Sequence, residues 1–152
     1  MNGTGMSVRS ARQPFASSTS ARRRGQRQAR KDTVPELALR RALHARGLRY
    51  LVHRRPLPAL RRVADVVFPR AKVAVFVDGC FWHGCPEHGY QPRVNSWYWQ
   101  PKLEQNRQRD LDTTRQLEGG GWVVVRVWEH EAPEEVSQRI EALVRHRRAA
   151  RS

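Results

Sequence analysis

The sequence predicts an α/β domain in which a short mixed β-sheet is flanked by helices on both faces. Apolar residues follow helical and strand-like patterns in the order helix, three strands, helix, strand, helix. The run 73–77 is apolar at every position, which is typical of a central strand that is covered on both faces. Helices packed on both faces of the sheet would bury all of these apolar patterns together.

The first helix has clear signals at both of its ends. Thr33 and Glu36 have the spacing of a capping box, and Pro35 lies in the first turn, where proline is well tolerated. The apolar stripe stops at Gly47, a residue type that commonly ends helices. Residues 48–52 then alternate between apolar and polar, so we expect the first strand there.

The remaining elements follow from periodicity and from turn residues. Two β-rich runs, 63–68 and 72–77, are separated by a short turn-like link, which favours a hairpin. A helix is expected at 101–118, where three glycines follow it, and a strand at 122–128. The last helix is expected to begin near Pro133, with acidic residues in its first turn and arginines near its end.

The first 31 residues differ in composition from the rest of the chain. They carry eight Lys and Arg, no acidic residue and no hydrophobic period. Such a segment cannot bury enough apolar surface to offset the entropy lost on ordering. We therefore expect a disordered basic arm at 1–31, suited either to contacting DNA or to remaining a solvated tail, and a folded domain at 32–148.

The charge of the chain points to a polyanionic partner. Its 29 Lys and Arg exceed its 14 Asp and Glu, which leaves a formal net charge of +15. Nucleic acid is the commonest such partner, because neutralised phosphates release counterions, although a ribosome-associated or merely basic protein has similar charge.

The cellular setting is suggested by the cysteines and by the lack of long apolar runs. A disulfide between Cys80 and Cys85 would close a very small ring and constrain little, which favours a reducing, cytoplasmic environment. No apolar run approaches the roughly 20 residues that span a bilayer, so no membrane association is expected. A secretory signal is excluded because its apolar segment is missing.

Two carboxylates are candidates for a catalytic metal site. Asp65 interrupts an otherwise apolar strand, and Asp78 ends the strand beside it. A hairpin would bring both to one end of the sheet, where they could hold Mg²⁺ and activate water. The alternative is that Asp65 pairs with a nearby arginine and that Asp78 with Gly79 simply forms a turn.

Three further residues could assist such a site. Asp110 lies on the same predicted helix face as Leu103 and Leu117, so it is expected to point inward. His83 could act as a general acid or base near neutral pH. Glu36 could reach the metal, but its capping position explains it without a catalytic role.

The loop after residue 78 contains potential zinc ligands. Cys80, Cys85 and His88 are suitably spaced, and His130 is the best candidate for the fourth ligand. His83 could replace His88 in this set. Two free thiols and a surface histidine are the alternative interpretation.

Aromatic residues are concentrated in the same loop and just after it. Phe81 and Trp82 lie between glycines, and Trp99 belongs to a second cluster. Aromatic rings inserted between base steps are a known means of kinking DNA. For Trp122 and Trp128, packing in the core is the preferred interpretation.

The sequence resembles the very-short-patch mismatch repair (Vsr-type) endonucleases from about residue 31 to residue 131. Many separate motifs carry the resemblance, and together they are highly specific. They are Lys31-Asp32-Thr33-x-Pro35-Glu36, Gly47-Leu48-Arg49-Tyr50, Asp65-Val66-Val67-Phe68-Pro69, Gly79-Cys80-Phe81-Trp82-His83, Trp99, Lys102, Asn106, Arg109-Asp110, Gly121-Trp122 and Val127-Trp128-Glu129.

This resemblance implies a restriction-endonuclease-like fold and Mg²⁺-dependent nicking of one DNA strand beside a T:G mismatch left by deamination of 5-methylcytosine. It implies that Asp65 is the principal Mg²⁺ ligand and that His83 assists proton transfer, while Glu36 and Asp110 tune metal-bound waters. The implied DNA-intercalating residues are Phe81, Trp82 and Trp99. The implied ligands of a structural Zn²⁺ ion are Cys80, Cys85, His88 and His130. A monomer that acts on double-stranded DNA, with other mismatch-repair proteins as possible partners, is expected.

The chain departs from the pattern of this family at three places. Many members have His where this chain has Asp78, so Asp78 could be a metal ligand or a proton-transfer group. His130 replaces a usual Cys, and Arg62-Val63-Ala64 replaces a Gly-x-Pro motif. A mismatch-independent nicking or restriction-type endonuclease and a non-catalytic, zinc-stabilised DNA-binding module are the alternative functions.

Overall fold

The protein is described by a computed structural model over residues 31–80, 85–87 and 95–152. Its elements follow the predicted order of helix, three strands, helix, strand and helix, which confirms the α/β prediction. They are α1 (Val34–Ala45), β1 (Leu51–Arg54), β2 (Ala64–Phe68), β3 (Val73–Asp78), α2 (Ser96–Gly119), β4 (Val123–Trp128) and α3 (Pro133–Ala149). The predicted basic arm, apart from Lys31, lies outside the described residues.

The four strands form one mixed sheet in the order β1-β2-β3-β4. The predicted hairpin is confirmed, because β2 and β3 pair antiparallel with Val66 opposite Val75. β1 also pairs antiparallel with β2, whereas β3 and β4 are parallel. The apolar run in β3 therefore lies in the interior of the sheet, as its composition predicts.

Helices cover both faces of the sheet. On one face of the sheet, α1 and α3 pack against β2 and β3. On the other face, α2 and Trp122 pack against the same two strands. The first group of buried side chains includes Leu39, Leu43, Val66, Phe68, Val73, Val75, Val136, Ile140 and Val144. The second includes Ala64, Val67, Ala74, Leu117 and Trp122, which confirms the core role of Trp122. Both faces of the sheet are thus shielded from water, so its polar residues stand out at its ends.

Two predicted elements start three or more residues away from the predicted position, whereas the other starts agree to within about one residue. The first strand begins at Leu51 rather than at residue 48. Leu48 is apolar because it is buried in the core, although it lies before the strand, and this extended the apparent strand pattern. The helix predicted to begin at Pro101 begins at Ser96. Proline lacks a backbone N–H and so loses only one helical hydrogen bond, which does not end this helix. No helix among the described residues is long and apolar enough to cross a membrane.

Candidate functional site

Asp65 lies in β2 at the end of the sheet where β3 terminates. Its neighbour Val66 pairs with Val75, so the register carries Asp65 alongside the last residues of β3. Its Oδ2 atom accepts a hydrogen bond of 2.7 Å from the backbone N–H of Val77. The hairpin therefore brings Asp65 and Asp78 to the same end of the sheet, as the sequence predicts.

The surroundings of Asp65 make its charged form unfavourable. The pKa of Asp65 is raised from 3.8 to about 6, mainly by burial and to a smaller extent by the nearby charges of Glu36 and Asp78. The Val77 N–H and His53 act in the opposite direction, but they do not compensate for burial. A carboxylate held in such surroundings is stabilised by a bound cation, which is common where enzymes place metal ligands.

Glu36 combines a capping role with proximity to Asp65. It lies in the first turn of α1 and is 4% exposed. Its carboxylate accepts hydrogen bonds from the Asp32 backbone N–H and the Thr33 hydroxyl, both at 3.1 Å, and from Arg40 Nη2 at 3.2 Å. The Thr33 side chain makes no capping hydrogen bond to the helix backbone. Of the predicted capping box, only the bond from the glutamate to a preceding backbone N–H forms, and it is made to Asp32 instead of Thr33.

An arginine links the two other predicted carboxylates. Arg126 Nη1 lies 3.1 Å from each carboxylate oxygen of Asp78 and 3.5 Å from Asp110 Oδ1. Asp78 is 5% exposed at the end of β3, and Asp110 points inward from α2 as its helix position predicts. Asp78 is therefore part of a partly buried ion pair, not only of a turn with Gly79. Sequence reasoning missed Arg126, although it is the one charged residue within the strand Val123–Trp128.

His53 is a second residue near the site that sequence reasoning missed. It lies in β1 with a φ of 50°, a left-handed backbone conformation that is uncommon for histidine. Its Nε2 atom is 3.2 Å from Asp32 Oδ1 and 2.9 Å from Arg40 Nη2. Hydrogen bonds from Arg40 and His53 lower the pKa of Asp32. The isolated histidine in a short, arginine-flanked strand gave no pattern that could have revealed this contact.

Cys80, Cys85 and His130 converge at a separate position. Their Sγ and imidazole nitrogen atoms lie within 4.8 Å of one another, with His130 Nδ1 at 3.1 Å from Cys80 and 3.7 Å from Cys85. Burial, with a further contribution from Cys85, raises the pKa of the Cys80 thiol to about 11. Two sulfur atoms and an imidazole nitrogen fit the ligand preference of zinc. His130 Nε2 also lies 3.5 Å from Glu87, and a carboxylate in that position would orient the ring towards a metal.

Four of the predicted site residues belong to segments between the described parts of the chain. Phe81, Trp82, His83 and His88 lie outside the described residues. Trp99 lies in α2 and is partly buried, with its ring 5.1 Å from that of Tyr98. The structure thus brings together Asp65, Glu36, Asp78 and Asp110 at one end of the sheet, and Cys80, Cys85 and His130 in a cluster of their own.

Clustered carboxylates at the end of a mixed sheet, on a chain with a net charge of +15, are the features expected of an enzyme that cleaves nucleic acid. Comparison with known proteins gives the same class. The family described as "DNA mismatch endonuclease Vsr" matches residues 17–88. The chain belongs to this Vsr family of DNA endonucleases, as the resemblance in sequence implied.

Individual relatives match about two thirds of the chain. The type II nicking enzyme V.NaeI of Lentzea aerocolonigenes is 51% identical over 104 residues, which are 67% of this chain and 63% of the relative. The type II nicking enzyme V.XorIIP of Xanthomonas oryzae pv. oryzae is 43% identical over 105 residues, 66% of this chain and 73% of the relative. The DNA mismatch endonuclease Vsr of Escherichia coli is 33% identical over 104 residues, which are 66% of this chain and 64% of the relative. These relatives do not support the alternative of a non-catalytic DNA-binding module.

Proposed function

We propose that this protein nicks one strand of double-stranded DNA at T:G mismatches that arise from deamination of 5-methylcytosine, by Mg²⁺-dependent hydrolysis of a phosphodiester bond. The observation that carries the proposal is the position of Asp65. Its carboxylate is buried beside two other acids in a member of a DNA endonuclease family. Such a carboxylate favours a bound cation, and Mg²⁺ prefers oxygen ligands of this kind.

The roles of the acidic residues follow from their places in the site. Asp65 would hold the metal, and Mg²⁺ bound there would supply positive charge and favour ionisation of water. Glu36, 4% exposed and already accepting three hydrogen bonds, is rigid enough to orient water beside Asp65. Asp110 is held nearby by Arg126 and would orient water in the same way. His83 is proposed to transfer the proton, as the resemblance implies.

A zinc ion is proposed as a structural element of the loop after β3. Cys80, Cys85 and His130 would be three of its ligands, and His88 is proposed as the fourth. The Cys85 backbone N–H donates a hydrogen bond of 3.0 Å to the Cys80 carbonyl, which keeps these two proposed ligands close together. Such a site would anchor Cys80 and Cys85, the two ends of the segment that contains His83. We also propose that the domain has a restriction-endonuclease-like fold.

The proposal that the protein binds DNA is supported by its charge and by the aromatic residues that the sequence singles out. The net charge of +15 favours contacts to phosphates. Phe81, Trp82 and Trp99 are proposed to insert between base steps and so to kink the duplex at the mismatch. Monomeric action in the bacterial cytoplasm, with other mismatch-repair proteins as partners, completes the proposal.

A second candidate function is nicking that does not depend on a mismatch. It is favoured by the names of the V.NaeI and V.XorIIP relatives, both of which are called type II nicking enzymes. The same carboxylates would serve this reaction, so only the preference for substrate distinguishes the two functions.

The test is strand-specific nicking of labelled duplexes that differ only in a T:G or a C:G pair, with and without Mg²⁺. Each duplex is incubated with the wild type, with Asp65→Ala and with Asp112→Ala. Asp112 is an exposed acid of α2, so Asp112→Ala is the control. We expect Mg²⁺-dependent nicking of the T:G duplex alone, lost in Asp65→Ala and retained in the control. Equal nicking of both duplexes would establish the mismatch-independent function, and activity in Asp65→Ala would refute the proposed metal ligand.

A further inference from the structure

Arg126 occupies an unusual place for a charged residue. It lies in β4 directly opposite Phe76 of β3, and its guanidinium carbon is 4.7 Å from the centre of the Phe76 ring. An aromatic face stabilises a guanidinium that packs against it. The side chain is only 25% exposed, so Phe76 and the sheet direct it towards the carboxylate end of the site.

The guanidinium joins three structural elements through its polar contacts. Nη1 contacts both oxygens of Asp78 at 3.1 Å and Asp110 Oδ1 at 3.5 Å. Nη2 donates to the backbone carbonyl of Asp110 at 3.3 Å, and Nε donates to the Thr114 hydroxyl at 3.5 Å. Asp110 is therefore held through its side chain and its backbone, one helical turn before Thr114.

Electrostatics explain why a cation is needed at this position. Asp78 is 5% exposed, and its charge already raises the pKa of Asp65. A buried carboxylate without a partner is strongly unfavourable, and two carboxylates brought together repel each other. The planar, forked guanidinium can bind two partners at once, which the ammonium group of a lysine does less well.

We propose that Arg126 is a positioning residue that holds Asp110 beside Asp65 for the nicking reaction, and that Asp78 serves as the counter-ion of Arg126 rather than as a metal ligand. The inference rests on the proposed function. Arg126 acts on the reaction only through Asp110, so its loss affects the chemical step and leaves the binding of DNA unchanged.

The first experiment separates chemistry from binding. Arg126→Met and Arg126→Lys are compared with the wild type for single-turnover nicking of the preferred duplex at saturating enzyme, and for DNA affinity. We expect Arg126→Met to lower the nicking rate about 10–100-fold, the range found for groups that orient residues at a metal site, with affinity unchanged. Arg126→Lys should recover part of the rate because it restores the charge but not the fork. A wild-type nicking rate in Arg126→Met would overturn the proposal.

A double replacement tests whether Arg126 acts merely by keeping the protein folded. Asp78→Asn with Arg126→Met removes the buried carboxylate that Arg126 contacts, so thermal stability should return towards that of the wild type. Asp110 still lacks its contacts with Arg126 in this variant, so nicking should remain as slow as in Arg126→Met. Full recovery of nicking together with stability would assign Arg126 a structural role only. This variant also carries the test if Arg126→Met alone does not fold.

The role of Asp78 is tested by the Mg²⁺ requirement of nicking. In Asp78→Asn the concentration of Mg²⁺ that gives half-maximal nicking should rise far less than in Asp65→Asn, because Asp78 acts on the site only through its charge and does not bind the ion. An increase as large as that in Asp65→Asn would show that Asp78 is a metal ligand. Asp65→Asn, which should raise the requirement or abolish nicking, is the positive control.

Two further variants make the outcome specific. Arg145→Met removes an arginine whose side chain is 67% exposed on α3 and pairs with Glu141, so it should nick as the wild type does. If Asp65→Ala retains activity, the proposed function itself fails. If Asp65→Ala is inactive while Arg126→Met is fully active, only the role of Arg126 is refuted.

Discussion

Replacing Asp65 with asparagine should stabilise the folded protein in the absence of Mg²⁺. Burial raises the pKa of Asp65 from 3.8 to about 6, so its ionised form is less favourable in the folded protein than in the unfolded chain. A difference of about two pKa units corresponds to about 3 kcal/mol above pH 6, which is the upper limit of the gain. Asparagine has almost the same shape, and its side-chain oxygen can still accept the hydrogen bond from Val77.

The dependence on pH follows from the direction of the shift. Because the pKa is raised on folding, ionised Asp65 destabilises the folded protein above its folded pKa and has no effect below its unfolded pKa. The stability difference between Asp65→Asn and the wild type should be largest at about pH 8 and about half as large at about pH 5.

Urea denaturation followed by circular dichroism, in buffer freed of Mg²⁺, measures this difference. Asp112→Asn at an exposed position of α2 is the control and should show no comparable gain. Adding Mg²⁺ should then stabilise the wild type and leave Asp65→Asn unchanged, because a ligand stabilises only the state that binds it. If Asp65→Asn and the wild type are equally stable at about pH 8 and depend on pH in the same way, the charge of Asp65 does not destabilise the metal-free protein. Burial of that charge would then not explain metal binding at this site.

Three other predictions concern the loop site and the scaffold. Elemental analysis should find zinc in the purified wild type but not in Cys80→Ser, and Cys80→Ser should unfold at a lower temperature. Zinc retained in this variant would contradict the proposed ligand set. Arg46 donates hydrogen bonds of 2.8 Å to both Glu141 and Ser137, which link the end of α1 to α3. Arg46→Ala should therefore lower the free energy of unfolding, measured with urea, by about 1–2 kcal/mol. The exposed pair of Arg145 on α3 is its control, and Arg145→Ala should cost no more than about 0.5 kcal/mol. Gly121 has a φ of 83°, so Gly121→Ala should lower the free energy of unfolding, measured by thermal denaturation, by about 1–2 kcal/mol. Gly119 is the control, because it has a helical backbone and open space around it. Gly119→Ala should therefore be neutral or stabilising.

The sequence by itself determined the element order and the centre of the candidate site. Periodicity depends on residues that are neighbours in the chain, which is why the helices and strands were predictable from local patterns. Asp65 was conspicuous because it breaks an apolar strand, and the hairpin placed Asp78 beside it without knowledge of the remaining fold. The ligand chemistry of Cys80, Cys85 and His130 led the sequence analysis to group them, and the structure brings their ligand atoms within 4.8 Å of one another.

Only the tertiary structure decided which groups neutralise the carboxylates. Arg126 reaches Asp78 because β4 pairs in parallel with β3 after a helical crossover, a register that no local pattern specifies. His53 meets Asp32 through the packing of β1 beside α1, across a separation of 21 residues. The start of α2 was also misjudged, because a proline inside a helix removes a single hydrogen bond that other contacts can outweigh. Electrostatic partners depend on distances in space, and these distances are set by the packing of the whole sheet.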